Sequence, residues 1–227
     1  MTVPVSEIFP AWQGEGPHAG RRCSFLRLGL CNLHCEWCDT PFTWDITRFD
    51  VATECPPRTT EDILGTLATH GTDLLVLSGG EPLIHANSPA LIGVIRAWGG
   101  VLDLETNGTL PPPAWSELIS VAAVSPKIGQ TADTEARRIR PDVLGQWSNI
   151  PGAVLKVVCR DSTDVDVLAD MLPNWGDWNG RVWVMPEGVD GPDLLTRARD
   201  IEPTVAHHGF NLSLRAHTLM FGTERAR

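Results

Sequence analysis

The chain has no apolar run approaching the ~20 residues that span a bilayer. It has no excess of basic charge either: 18 Lys and Arg stand against 28 Asp and Glu, for a formal net charge of −10. The general electrostatic footprint of a nucleic-acid binder is therefore missing, and neither nucleic acid nor membrane is an expected partner. An acidic balance still permits an anionic substrate, provided basic residues line the pocket locally. No low-complexity tract and no fixed-period repeat occurs. The opening residues MTVPVSEIFPAWQGEG lack both the basic start and the apolar stretch of a secretory signal. The expected location is cytoplasmic, where thiols stay mostly reduced and disulfide staples are disfavoured.

What is present is globular: 227 residues, 42% apolar and 20% charged. That length suits one domain over residues 1–227, with a core large enough to need no covalent staple. Apolar β-type runs alternate with helical patterns. Strands are expected at 24–30, 73–80, 101–108, 121–127, 153–161, 181–188 and 211–217. Helices are expected at 59–71, 88–100, 113–120, 162–173 and 192–209, the last interrupted by Pro203. In the 59–71 segment Thr59 can cap, with Asp62 three residues on and Gly71 at the end. Strand–helix alternation implies βαβ units and a parallel sheet covered on its outer face. The units are too few for a closed eight-fold barrel, so the expected architecture is an open, partial α/β barrel.

Five polar clusters follow predicted strands: CNLHCEWCDT, SGGEP, ETNG, SPK and MPEG. In a barrel-like sheet the C-terminal strand ends share one face, where ligands bind. The first cluster holds Cys31, Cys35 and Cys38 as C-x3-C-x2-C. Structural zinc wants four tetrahedral ligands. No second Cys/His pair of suitable spacing follows, and His34, adjacent to Cys35, is poorly placed as the fourth. Three thiolates on one loop suit three corners of a [4Fe–4S] cubane, leaving one iron open to chelate a small molecule. The other cysteines, Cys23, Cys55 and Cys159, read as buried small hydrophobes.

The C-x3-C-x2-C loop after the first core strand, with an aromatic before its last cysteine, and SGGEP after the next strand together resemble the radical S-adenosylmethionine (SAM) superfamily. That resemblance implies a (β/α)6-type open barrel. It makes Cys31, Cys35 and Cys38 the cluster ligands. Trp37 and Asp39 would lie by the adenine, and Gly79, Gly80 and Glu81 would meet the methionine amino group. Glu105 would bond ribose hydroxyls, and Ser125, Pro126 and Lys127 would offer a hydroxyl and a cation.

QGEG before that strand, FLRL within it and WCDT closing the loop narrow the resemblance to the 7-carboxy-7-deazaguanine synthase family. The likeness continues more weakly through ETNG, SPK and the final RAH. It implies 6-carboxy-5,6,7,8-tetrahydropterin as substrate, with hydrogen abstraction, ring contraction and ammonia loss in 7-deazapurine (queuosine-type) biosynthesis. It also implies SAM and Mg²⁺ as cofactors, a homodimer, and a flavodoxin or ferredoxin as reductant. Residues 1–23 would contribute to the substrate pocket through Trp12, Gln13, Gly14 and Glu15. Gln13, Gly14 and Glu15 match the donor–acceptor edge of a pterin. Arg27 would clamp the substrate carboxylate, unless it pairs with a neighbouring acid. Ser78 and His217 would reach substrate, and Thr40 would bind magnesium. No side chain need act as catalyst beyond the cluster and SAM. The rivals are a glycyl-radical activating enzyme and a non-catalytic zinc or iron–sulfur module.

Overall fold

The computed structural model describes residues 1–129 and 131–226. Among them the strands are β1 (Thr2–Trp12), β2 (Arg22–Leu28), β3 (Pro57–Thr59), β4 (Leu74–Gly79), β5 (Val101–Thr106), β6 (Val121–Val124), β7 (Ala153–Cys159), β8 (Val182–Pro186) and β9 (Asn211–Leu212). They form one nine-stranded sheet in the order β3-β1-β2-β4-β5-β6-β7-β8-β9. β1 pairs antiparallel with both β2 and β3, and every neighbouring pair from β2 to β9 is parallel. The sheet does not close on itself, as the expected open α/β barrel requires.

The helices are α1 (Val51–Glu54), α2 (Thr60–Ala68), α3 (Pro89–Trp98), α4 (Glu135–Arg138), α5 (Pro141–Ser148), α6 (Ser162–Met171), α7 (Gly191–His207) and α8 (Ala216–Phe221). Strand alternation decides what each face carries. Leu26 and Leu28 of β2, Leu75 and Leu77 of β4, Leu104 of β5, and Leu155 and Val157 of β7 join one buried core. Ile63, Leu91, Leu144, Val165 and Ile201 from the helices complete it. The alternate residues Arg27, Ser78, Glu105 and Lys156 line a cavity on the other face. Cys23, Cys55 and Cys159 are buried, and all six cysteines are free thiols.

One strand was not expected, and three expectations need correction. β1, an eleven-residue strand, was hidden by Pro4 and Pro10, which are tolerated because β1 lies near the sheet edge. α7 runs unbroken through Pro203. Its apolar face, Leu194, Ala198, Ile201 and Val205, is packed. Pro203 is exposed, so the carbonyl it leaves unpaired one turn earlier meets water. The last strand is only Asn211–Leu212, and the RAH segment instead opens α8. The 113–120 segment forms a single 3₁₀ turn, Ser116–Leu118. The helix after β3 matches its reading: Thr59 and Asp62 form a reciprocal capping box. No helix among the described residues is long and apolar enough to cross a membrane.

Candidate active site

All five polar clusters open onto one cavity of about 580 Å³ at the C-terminal strand ends. That volume suits a substrate and cofactor together. Cys31, Cys35 and Cys38 face it, with Trp37, Asp39 and Thr40 beside them. The turn into this loop is fixed by backbone. Leu30 has φ 72°, unusual for a branched side chain. Its N–H donates to Thr43 O (2.8 Å) and its carbonyl accepts from Glu81 N (2.8 Å). Trp44 donates its indole N–H to Cys38 Sγ at 3.3 Å.

The SGGEP segment locks onto this loop. Gly80 N donates to Leu28 O at 3.1 Å. A Cβ on Gly79 would lie 2.2 Å from Leu28 O, and one on Gly80 would lie 2.0 Å from Leu30 O. The glycines thus permit close approach to the chain entering the cysteine loop. Glu81 is fully buried and is not part of the cavity wall. It accepts from Leu83 N (3.0 Å), Asn107 N (2.7 Å) and Thr106 Oγ1 (2.9 and 3.1 Å). Burial raises its pKa, and those hydrogen bonds only partly offset the shift. Placed this way, Glu81 ties SGGEP to ETNG, and it is not presented to a ligand's ammonium. Pro126 is likewise buried outside the cavity wall, whereas Ser125 and Lys127 face inward, with Lys127 Nζ donating to Ser125 Oγ at 2.8 Å.

A charge network lines part of the cavity. Lys156 Nζ reaches Glu15 Oε2 at 2.5 Å and Glu105 Oε1 at 4.0 Å. Ser78 donates to Glu105 Oε2 at 2.7 Å. Arg215 Nε lies 3.2 Å from Glu15 Oε1, and its Nη2 donates to Asp39. His217 Nε2 is 4.0 Å from the same Glu15 oxygen. Burial alone would raise the Glu15 pKa, but the charges of Lys156 and Arg215 outweigh it and hold the carboxyl far below its usual range. Burial opposes the Lys156 charge too, yet Glu15 and Glu105 raise its pKa above the ordinary value. For His217 burial prevails and lowers the pKa, keeping the ring neutral near neutrality.

Residues 13–16 are stitched to 213–217. Gly16 N donates to Ser213 Oγ (2.9 Å) and Ala216 N to Gly14 O (3.0 Å). Gly14 itself does not line the cavity; a Cβ there would sit 2.3 Å from His217 Nδ1. Gln13 is buried and Trp12 half-exposed, and both line the wall. Arg27 also lines it, and its Nη1 bonds Glu7 Oε2 at 2.8 Å. Arg27 thus has an acidic neighbour as its partner in this structure. Lys156 and Trp44 were absent from the residues expected here. A lone lysine within AVLKVVC was the available signal for the first; for Trp44 there was none.

The residues fit an iron–sulfur cluster. Burial pushes the Cys31 thiol up to about 12 and raises that of Cys35. Thiolates gathered here need adjacent positive charge, which bound iron supplies. Among the described residues no three His, Cys, Asp or Glu side chains converge as ligands of a single ion.

The 7-carboxy-7-deazaguanine synthase of Halobacterium salinarum is 30% identical over 96% of this chain and 90% of that protein. The enzyme of that name from Rhodopirellula baltica is 31% identical over 97% of this chain and 87% of its own. The chain belongs to the 7-carboxy-7-deazaguanine synthase family. A family model described as a 4Fe-4S single cluster domain matches residues 13–102, which include all three loop cysteines of this synthase-family chain. The crystal structure of QueE from Escherichia coli shares its fold, with TM-score 0.73 over 96% of this chain and 95% of that one at 22% identity. Streptococcus suis SuiB bound to S-adenosylmethionine shares it more distantly, with TM-score 0.51 over 84% of this chain and 48% of that one at 15% identity.

Proposed function

We infer that this chain is a radical SAM lyase that converts 6-carboxy-5,6,7,8-tetrahydropterin to 7-carboxy-7-deazaguanine. The observation that carries the reading is the joining of two features in one cavity wall: three cysteines and the Glu15–Lys156–Arg215–His217 network. A protein-activating relative would have no use for a largely buried polar network within the cavity. A structural zinc clip would not need the cavity.

Cys31, Cys35 and Cys38 would hold the [4Fe–4S] cluster. When bound, the cluster would supply the electron and SAM the hydrogen-abstracting radical. The chain's own residues do the positioning. Trp37, Asp39, Gly79, Gly80, Glu105, Ser125 and Lys127 line the same cavity as the cysteines and would bind SAM. For Glu81 and Pro126 the contribution is indirect, through the backbone they fix. Gln13 and Glu15 present an amide and a held carboxylate to the pterin edge, with Gly14 letting His217 close in. Neutral His217 can accept or donate one hydrogen bond, and Trp12 and Ser78 complete the wall. Arg27 offers its second guanidinium nitrogen to the substrate carboxylate.

Thr40 provides a hydroxyl at the rim, fitting a Mg²⁺ that keeps several waters and leans on that carboxylate. The same reading includes a single domain over residues 1–227, a homodimer, a flavodoxin or ferredoxin donor and a cytoplasmic location. The expected result of an anaerobic turnover with the carboxypterin, SAM, Mg²⁺ and dithionite is a product with the mass of 7-carboxy-7-deazaguanine. A chelator should slow the reaction. Cleavage of SAM with no such product would reject the substrate assignment.

A further inference from the structure

Beyond His217 the chain continues, and its Arg225 reaches the acid that pairs with Arg27. α8 ends at Gly222, whose φ of 62° turns the backbone out of the helix. The turn carries Arg225 to a charged cluster under the sheet edge. Its Nε lies 3.0 Å from Glu7 Oε1 and its Nη2 3.1 Å from Glu54 Oε2. Its guanidinium carbon stacks 3.6 Å from the centre of the buried Phe42 ring. Glu7 is the acid that holds Arg27: one carboxylate oxygen serves Arg27, the other Arg225. A register shift between Val5 and Glu7 in the β1–β2 ladder sets Glu7 directly opposite Arg27.

This arrangement has an electrostatic consequence. Glu7 and Arg27 are both largely buried, with side chains 12% and 17% exposed. Alone, they would cancel, and an incoming carboxylate would meet a neutral pair. A second guanidinium on the far oxygen draws off part of the Glu7 charge and leaves Arg27 more of its own. Arg225 is about half exposed, so its ion pairs add little to stability. Their effect falls on the field at Arg27.

We propose that Arg225 is a positioning residue for substrate binding: through Glu7 it holds the Arg27 guanidinium in place and keeps it electrostatically available for the substrate carboxylate. The proposal rests on the assignment of Arg27 as the carboxylate clamp. The C-terminal extension thereby becomes part of the specificity apparatus for a carboxylated substrate.

The test is steady-state kinetics of the full, cluster-loaded chain with the carboxypterin. Arg225→Gln should raise KM about fivefold to tenfold with kcat changed less than about twofold, as for a charge that acts on binding. Arg225→Lys should recover most of the loss. Glu7→Gln combined with Arg225→Gln should bring KM back toward the starting value, because the charge that Arg225 offsets is gone. A tail that merely braces the fold would not be rescued this way. Unchanged KM in Arg225→Gln, or a deficit that persists in the double variant, overturns the proposal. Arg27→Ala separates the two levels. If it leaves KM unchanged, the clamp assignment fails and takes the proposal with it. If it raises KM while Arg225→Gln does not, the proposal alone fails.

Discussion

Lys156→Met should cut turnover by at least about 100-fold, the loss expected when a substrate-positioning network shifts by about an ångström. The ammonium is the counter-ion of two acids, Glu15 and Glu105. Removing it leaves Glu15, whose side chain is only 10% exposed, with Arg215 and a neutral His217. Breaking a buried pair from one side costs about 3–5 kcal/mol, and the remaining Arg215 places this case near the lower end. Lys156→Met/Glu15→Gln should regain most of that stability, since neither charge is then stranded, but it should not regain activity. Chemical denaturation beside turnover measures both. Full activity in Lys156→Met would remove the network from the substrate site.

Glu81→Ala should destabilise the chain before any cofactor is added. The carboxylate receives two backbone N–H groups and the Thr106 hydroxyl. Deleting it strands those buried donors at about 1–3 kcal/mol each, for a total on the order of 3–5 kcal/mol after local relaxation. Glu81→Gln should also destabilise, because its amide places N–H groups against donors. A residue kept only for its contact with SAM would leave the apo protein as stable as before. Urea unfolding of the cluster-free chain therefore separates an internal tie from a ligand contact, and an unchanged midpoint would contradict the tie.

Much of the site was readable because chemistry clustered locally. Cys31, Cys35 and Cys38 share one loop, and SGGEP, ETNG and SPK each follow an apolar run that proved to be β4, β5 and β6. What escaped depended on partners distant in sequence. Lys156 sits in a strand otherwise apolar, and only the folded chain brings it to Glu15, 141 positions away. Glu81 looked like a loop acid open to a ligand; its donors come from the turn after β4 and the end of β5. β1 was obscured because its two prolines signal against a strand, a signal that holds for central strands but weakens near an edge. Arg215 lies in a segment whose apolar alternation predicts a strand, and as the residue capping α8 it meets Glu15 and Asp39 instead.

The most direct measurement of the central claim is the iron, sulfide and zinc content of the anaerobically reconstituted chain, with deoxyadenosine formation from SAM followed after reduction. About four irons and four sulfides per chain, lost on substituting Cys31, Cys35 or Cys38 by Ala together with SAM cleavage, are the expected result for a cubane held on three cysteines. About one zinc without sulfide, or a cubane that never cleaves SAM, would contradict it.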